Sequence, residues 1–271
     1  MTLTDKIQAQ YFTLTTSEKK VADYFLLVGP NIIFETMNEV KQKTHVGDAT
    51  IIRLCQKLGF SGFSDLKIEV AKDDYQTTRP LESTRPYAKL EATLTKTITD
   101  TLALVDQRKL KQSVALLSNA RHIYLFGVGG SALTSKELEN MLLRVGIKAQ
   151  AVTDPHYQAQ TAAILNENDL VIALSLTGRT NDTLTALKLA KQNHAKSIAI
   201  TTYLHSPIAQ TADVVLQTAV DDFLNGGSVI GKVSQLLVGE VLVAEYEEQN
   251  HTTTVKMREK VVRAILDKRE E

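Results

Sequence analysis

Residues 1–74 predict an all-α domain, and residues 88–271 predict an α/β domain built on a doubly wound, five-stranded parallel sheet. Three observations carry this reading. Residues up to 74 show helix punctuation without strand alternation, residues 75–87 are proline-bearing and poor in apolar side chains, and from residue 121 apolar strands exchange regularly with helical patterns. At 271 residues the chain is long enough for two ordinary domains, each with its own core.

The first strong helix is TTSEKKVADYFLLVG. Thr15 and Glu18 stand at the spacing at which each side chain satisfies the other's backbone N–H, Val21, Tyr24, Phe25 and Val28 share a face, and Gly29-Pro30 ends the run. A short helix then ends near Thr44. A tight turn, His45 to Gly47, leads to Asp48, which is expected to cap a helix over about 48–58. Ile51, Leu54, Cys55 and Leu58 form its apolar face, and Gly59 is expected to close it in a left-handed conformation. Two short helices across a tight turn are the pattern of a helix-turn-helix. YQTTRPLESTRPY, residues 75–87, holds two copies of Thr-Arg-Pro; each proline disfavours helix at its predecessor, so an extended linker is expected. LEATLTKTITDTLALVDQRKLKQSVALLSNA then predicts one or two amphipathic helices.

The α/β region follows as HIYLFGVGG, a helix over 132–144, IKAQAVT, a helix over 156–165, DLVIALSLTG, a helix over 180–193, AKSIAITT, a loop, ADVVLQT, and a long helix from about 228. Continuously apolar strands imply a parallel sheet covered on both faces. Ligands of such sheets bind beyond the carboxyl ends of the strands, near the point where strand order reverses. The long helix carries Val229, Val233, Leu236, Leu237, Leu242 and Val243, enough apolar surface to cover the sheet and to meet a second subunit.

Composition removes several classes. Thirty-one basic and 31 acidic residues balance, so no global charge draws the chain to nucleic acid or an acidic membrane, and any such binding comes from a local surface. One cysteine, Cys55, forbids an intramolecular disulfide and a cysteine-rich metal site. No apolar run is long enough to span a bilayer and MTLTDKIQAQYF does not read as a secretory leader, so a cytoplasmic protein is expected, without cofactor, metal or membrane partner.

Two strand ends are chemically unusual. In GVGGS, Gly127, Gly129 and Gly130 allow close backbone approach to a ligand, and Ser131 opens the next helix. In VIALSLTGRTNDT, Ser175, Thr177 and Thr180 surround Gly178 at another helix start, where unpaired N–H groups already favour an anion. Neutral N–H and O–H donors, without a lysine or an evident metal-binding carboxylate, suit a phosphate monoester better than a magnesium-bound triphosphate. The dinucleotide spacing is absent, with Leu133 where a small residue is expected and Asp154 just past the second strand, and no Gly-Lys-Ser/Thr follows.

On these residues the segment Arg121 to Thr218 resembles a SIS (sugar isomerase) domain, through GVGGS and SLTGRT. The preceding segment, with ATIIRLCQKLGFSGFSDLK, resembles the DNA-binding domain of RpiR-type transcriptional regulators, and DPHYQAQ resembles the stretch these regulators carry after the second strand. The resemblance spans nearly the whole chain. It implies a regulator whose SIS domain binds a phosphosugar, with Gly129, Gly130, Ser131, Ser175, Thr177, Gly178 and Thr180 at the phosphate and Asp154, His156 and Glu240 as candidate sugar contacts. It also implies a double-stranded DNA operator as partner and a homodimer or higher homo-oligomer. In the helix over 48–58 the outward positions Ala49, Thr50, Arg53 and Lys57 are the candidate DNA contacts, with Arg53 suited to a guanine edge and Lys57 to a phosphate. Lys43 and Lys67, with Lys41 beside them, are candidate backbone contacts. The turn departs from the family pattern, with Lys41, His45 and Gly47 where a small residue, glycine and serine are usual; Asp48, Asp65, Asp73 and Asp74 offset the local positive charge.

Two other readings stay open. A sugar-phosphate isomerase needs a base near adjacent sugar carbons, for which His156, His205, Glu137 and Glu240 are candidates. A sugar-phosphate-binding module that has lost DNA binding is the other.

Overall fold

The structure is a computed structural model and describes residues 2–77, 87–220 and 229–266. The chain divides into two compact units, Met1–Thr84 and Arg85–Glu271.

Among its described residues the first unit is helical throughout: α1 (Leu3–Gln10), a 3-10 turn (Tyr11–Thr13), α2 (Thr16–Val28), a second 3-10 turn (Gly29–Phe34), α3 (Met37–Thr44), α4 (Asp48–Lys57) and α5 (Phe63–Thr77). Helices α1, α2 and α3 start alike. Thr2, Thr15 and Thr36 each accept the N–H of an acidic residue three positions on, and Asp5, Glu18 and Glu39 each return a carboxylate to the threonine's N–H. Each such box contributes about 1 kcal/mol to its helix. Ile7, Val21, Phe25, Ile32, Val40, Ile51, Leu54 and Leu66 are buried, and the rings of Phe25 and Phe63 stack 6.0 Å apart. The apolar faces read from residues 15–28 and 48–58 are therefore the faces that make the core. Helix α5 continues three residues into the stretch 75–87, because Pro80 restrains its own predecessor and not Tyr75, Gln76 or Thr77. Residues 78–86 of the expected linker lie outside the described residues.

The turn between α3 and α4 differs from expectation in one detail. Gly47, not Asp48, is the N-cap of α4; Asp48 is already helical, and its carboxylate acts on the helix dipole and pairs with Lys41 at 3.4 Å. His45 closes α3 in the left-handed region (φ 55°, ψ 39°), donating its N–H to the Lys41 carbonyl. A β-carbon is strained there, whereas glycine is not. His45→Gly is expected to stabilise the full chain by up to about 1 kcal/mol, read as a higher urea midpoint at unchanged slope.

The second unit begins with α6 (Ala88–Ala103) and α7 (Gln107–Asn119) and continues as β1 (His122–Phe126), α8 (Gly130–Arg144), β2 (Gln150–Val152), α9 (Pro155–Ala163), β3 (Asp169–Leu174), α10 (Asn181–Gln192), β4 (Lys196–Thr201), α11 (Pro207–Thr211), β5 (Val214–Gln217), α12 (Val229–Gln249) and α13 (His251–Leu266). The sheet is parallel throughout, in the order β2-β1-β3-β4-β5. The central strand shows why its sequence is apolar without alternation. Leu170, Ile172 and Leu174 face the layer of α7, α8 and α12, while Val171 and Ala173 face that of α9, α10 and α11. Where a plain loop is expected after β4, Ser206 caps the short helix α11 and Pro207 occupies its first position. No described helix is long and apolar enough to cross a membrane.

Candidate functional site

The strand order places the candidate site. The chain leaves β1 for β2 on one side and β3 for β4 on the other, so the loops leaving these adjacent strands diverge and open a crevice between them. GVGGS and SLTGRT are these two loops. Of the four helices that follow β1 to β4, α9 and α11 are capped by Asp154 and Ser206, whereas α8 and α10, which flank the crevice, have no side-chain cap. In α8 the Ser131 and Ala132 N–H groups donate to the Val128 and Gly129 carbonyls, so what these two helix starts offer an anion is the positive end of a helix dipole with no side-chain oxygen capping it.

Each loop is held by contacts that require its glycines. A β-carbon on Gly127 would lie 2.6 Å from the Ser131 carbonyl oxygen and 2.6 Å from Ser135 Oγ, so glycine lets β1 run directly under the first turn of α8. Gly129 is the N-cap of α8 at φ 57°, and Gly130 is its first residue. Gly178, at φ 63°, has Ser206 Oγ 1.9 Å and Thr201 Oγ1 2.8 Å from where its β-carbon would stand. Its N–H donates to the Ser175 carbonyl and its carbonyl accepts the N–H of Ile208. The loop after β3 is thus fastened to α11.

The hydroxyls converge in part. Ser175, buried, lies 2.9 Å from Thr180 by their side-chain oxygens, so one of the two protons remains available outward. Thr177 Oγ1 accepts the N–H of Arg179, which leaves its own proton unassigned. Ser131 Oγ contacts the carboxamide of Gln235, reaching in from α12. Gln235 was not legible as a site residue, although a glutamine at helical spacing with Gly231, Val238 and Leu242, all on the buried side of α12, is the signal that could have raised it.

Other candidates lie apart. Asp154 and His156 sit exposed at the start of α9, at the same end of the sheet, where Asp154 Oδ1 accepts the Tyr157 N–H at 3.0 Å. Glu240 is exposed on α12, five residues and a different face from Gln235, and Arg258 nearby is held by Glu247, with the Glu240 charge a lesser influence on it. Arg179 acts on the half-buried Tyr203, whose phenol burial pushes up. Among the described residues no group of three or more His, Cys, Asp or Glu could hold a metal ion.

In the first unit Ala49 and Arg53 are exposed and Thr50 half-exposed on α4, with Arg53 Nε donating to the Ala49 carbonyl. The three lysines are occupied. Lys43 pairs with Glu35 at 2.7 Å, Lys67 Nζ donates to the Glu35 carbonyl at 2.9 Å, and Lys57 pairs with Glu18 at 2.7 Å. Glu18 is the capping carboxylate of α2, so Lys57 bolts α4 to the start of α2. Burial alone pushes the Glu18 carboxyl up, but the Lys57 ammonium and the Thr15 N–H and hydroxyl together hold it below the ordinary carboxylate range. A depressed folded value stabilises the unit above the unfolded value of about 4.3 and is lost as pH falls through the folded one. Glu18→Gln is therefore expected to cost about 1–2 kcal/mol at neutral pH. Urea unfolding followed by circular dichroism should show that gap narrowing in acid.

Comparison with known proteins defines the class. Residues 1–77 match the model of the helix-turn-helix domain, rpiR family, and residues 116–245 that of the SIS domain. An HTH-type transcriptional regulator of Haemophilus influenzae is 34% identical over 98% of this chain and 96% of its own, and the regulator RpiR of Escherichia coli is 28% identical over 88% and 83%. The solved Vibrio vulnificus NanR protein, complexed with ManNAc-6P, superposes with a TM-score of 0.78 at 26% identity, covering 98% of both chains. The chain belongs to the RpiR family of helix-turn-helix transcriptional regulators with a SIS domain.

Proposed function

We propose that this regulator senses a phosphosugar through the crevice between β1 and β3 and thereby alters its grip on an operator. The carrying observation is the pair of uncapped helix starts, α8 and α10, lined by Ser131, Ser175, Thr177 and Thr180 with Gly129, Gly130 and Gly178. The ManNAc-6P held by its NanR relative supports a phosphorylated amino sugar among the effectors to try first. Asp154, His156 and Glu240 are the weaker part of the reading, since Asp154 caps α9 and Glu240 is exposed on a different face of α12 from Gln235.

On the DNA side Arg53 and Thr50 carry base reading, with Ala49 against a base edge. Lys43, Lys57 and Lys67 serve first to hold the helices that present them, and reach phosphates second. The working form is a homodimer or higher homo-oligomer in the cytoplasm, with two copies of α4 set for half-sites about one helical turn, or multiples of it, apart.

Thermal stabilisation of the full chain by a panel of hexose and pentose phosphates, ManNAc-6P included, against their unphosphorylated parents tests the reading. A ligand at 100 times its Kd stabilises by about 2.7 kcal/mol. A shift confined to phosphorylated sugars is expected, and the active compound should change the affinity for operator fragments selected from genomic DNA and yield no isomer. Silence across the panel overturns the sensing function.

A further inference from the structure

Gln235 is 2% exposed on α12, and a buried carboxamide is costly unless both its ends are paired. Its Oε1 lies 2.9 Å from Thr134 Oγ1 and 3.2 Å from Ser131 Oγ, and its Nε2 lies 3.2 Å from the same serine oxygen. Counting protons resolves the pattern. The Ser131 carbonyl already receives the Ser135 hydroxyl at 2.8 Å. Thr134 has one proton, and its shorter partner is Gln235 Oε1, at 2.9 Å against 3.0 Å for that carbonyl. Oε1 has Thr134 as a donor, whereas the acceptor within reach of Nε2 among the described residues is Ser131 Oγ, so both ends of the buried carboxamide are paired when Nε2–H donates to Ser131 Oγ. A hydroxyl oxygen that accepts in this way keeps its single proton for a third group.

We propose that Gln235 is the positioning residue of the crevice, turning the Ser131 proton outward to donate to the bound oxyanion. The proposal rests on the reading of the crevice as a phosphate site. Thr134, Gln235, Ser131 and the anion then form one chain of hydrogen bonds running in a single direction, each polarising the next. Ser131 is the second residue of the uncapped α8, with its own N–H donated to the Val128 carbonyl, so its hydroxyl proton adds to the positive end of that helix.

The test uses full-length wild type, Gln235→Glu, Gln235→Met and Thr134→Val, with sulfate as probe because it stays a dianion while a glutamate titrates. Sulfate-dependent thermal stabilisation is measured near neutral and at mildly acid pH. Gln235→Glu is expected to bind about tenfold or more weakly at neutral pH, where the carboxylate draws in the serine proton, and to recover as the carboxyl gains a proton and becomes a donor. Gln235→Met should be weakened about equally at both pH values, and Thr134→Val by several-fold, since an unsupplied Oε1 competes for the serine proton. Wild-type affinity in Gln235→Met and Thr134→Val overturns the proposal while leaving the phosphate site standing. Loss in Gln235→Glu without recovery in acid also overturns it, marking a merely structural glutamine. If wild type itself takes up neither sulfate nor any phosphosugar, the site reading falls and the proposal with it. Should Gln235→Glu fail to fold, Thr134→Val decides.

Discussion

Replacing Gly178 with alanine is expected to cost the second unit about 3 kcal/mol or more and to abolish phosphosugar binding. Two independent effects add. Backbone at φ 63° strains any residue with a β-carbon by about 1–2 kcal/mol, and the new methyl would stand 1.9 Å from Ser206 Oγ and 2.5 Å from its β-carbon. Ser206 cannot yield cheaply, because its hydroxyl caps α11 and its neighbours are tied to the Gly178 carbonyl through Ile208. Overpacking of this kind costs about 1–3 kcal/mol. Gly130→Ala supplies the control, since its β-carbon would meet nothing within 4 Å and its backbone is unstrained. Urea unfolding of both variants, with the transition of the α/β unit followed separately, should show a large drop for Gly178→Ala and little change for Gly130→Ala. Equal, small effects would mean that the loop after β3 is free to rearrange.

Ser175→Ala is expected to leave the fold nearly untouched and to weaken the phosphorylated effector by about 10- to 100-fold. The serine is buried, and its hydroxyl pairs with Thr180 Oγ1 and no other side chain among the described residues. Removing it deletes one hydroxyl donor to a charged oxygen, where hydrogen bonds contribute about 1.5–3 kcal/mol. The unphosphorylated sugar should bind both forms alike. Calorimetric titration of each pair separates the two cases: an equal loss for both sugars would assign Ser175 to the ring and not to the phosphate.

How much of this could be read from the chain follows from how far apart the partners lie. The strand over 169–174 needed only its own apolar run, and the crevice only the small residues after it and after residue 126. Thr15 and Glu18 declared a helix start at a spacing of three. Long-range pairings were silent: Lys57 reads as an outward cation until Glu18, 39 residues earlier, is brought beside it, and Gln235 meets Ser131 across 104 residues. The choice between Gly47 and Asp48 as cap turns on one backbone angle, for which an acid next to a glycine gives no signal. Helix α11 was too short for periodicity to reveal, though Ser206-Pro207 is a start signal once it is looked for.

Cys55 gives α4 an internal clock. It is the chain's one cysteine, fully buried, and burial pushes its thiol up to about 12. Only the thiolate reacts with alkylating or exchange reagents, so an intact α4 hides its sulfur twice, sterically and by protonation. Every modification in native buffer therefore counts an opening event, and its rate measures how often the second helix of the helix-turn-helix comes loose from its core. Timed with and without a phosphosugar, that single reaction on the unaltered chain reports whether a ligand of one unit changes the local breathing of the other.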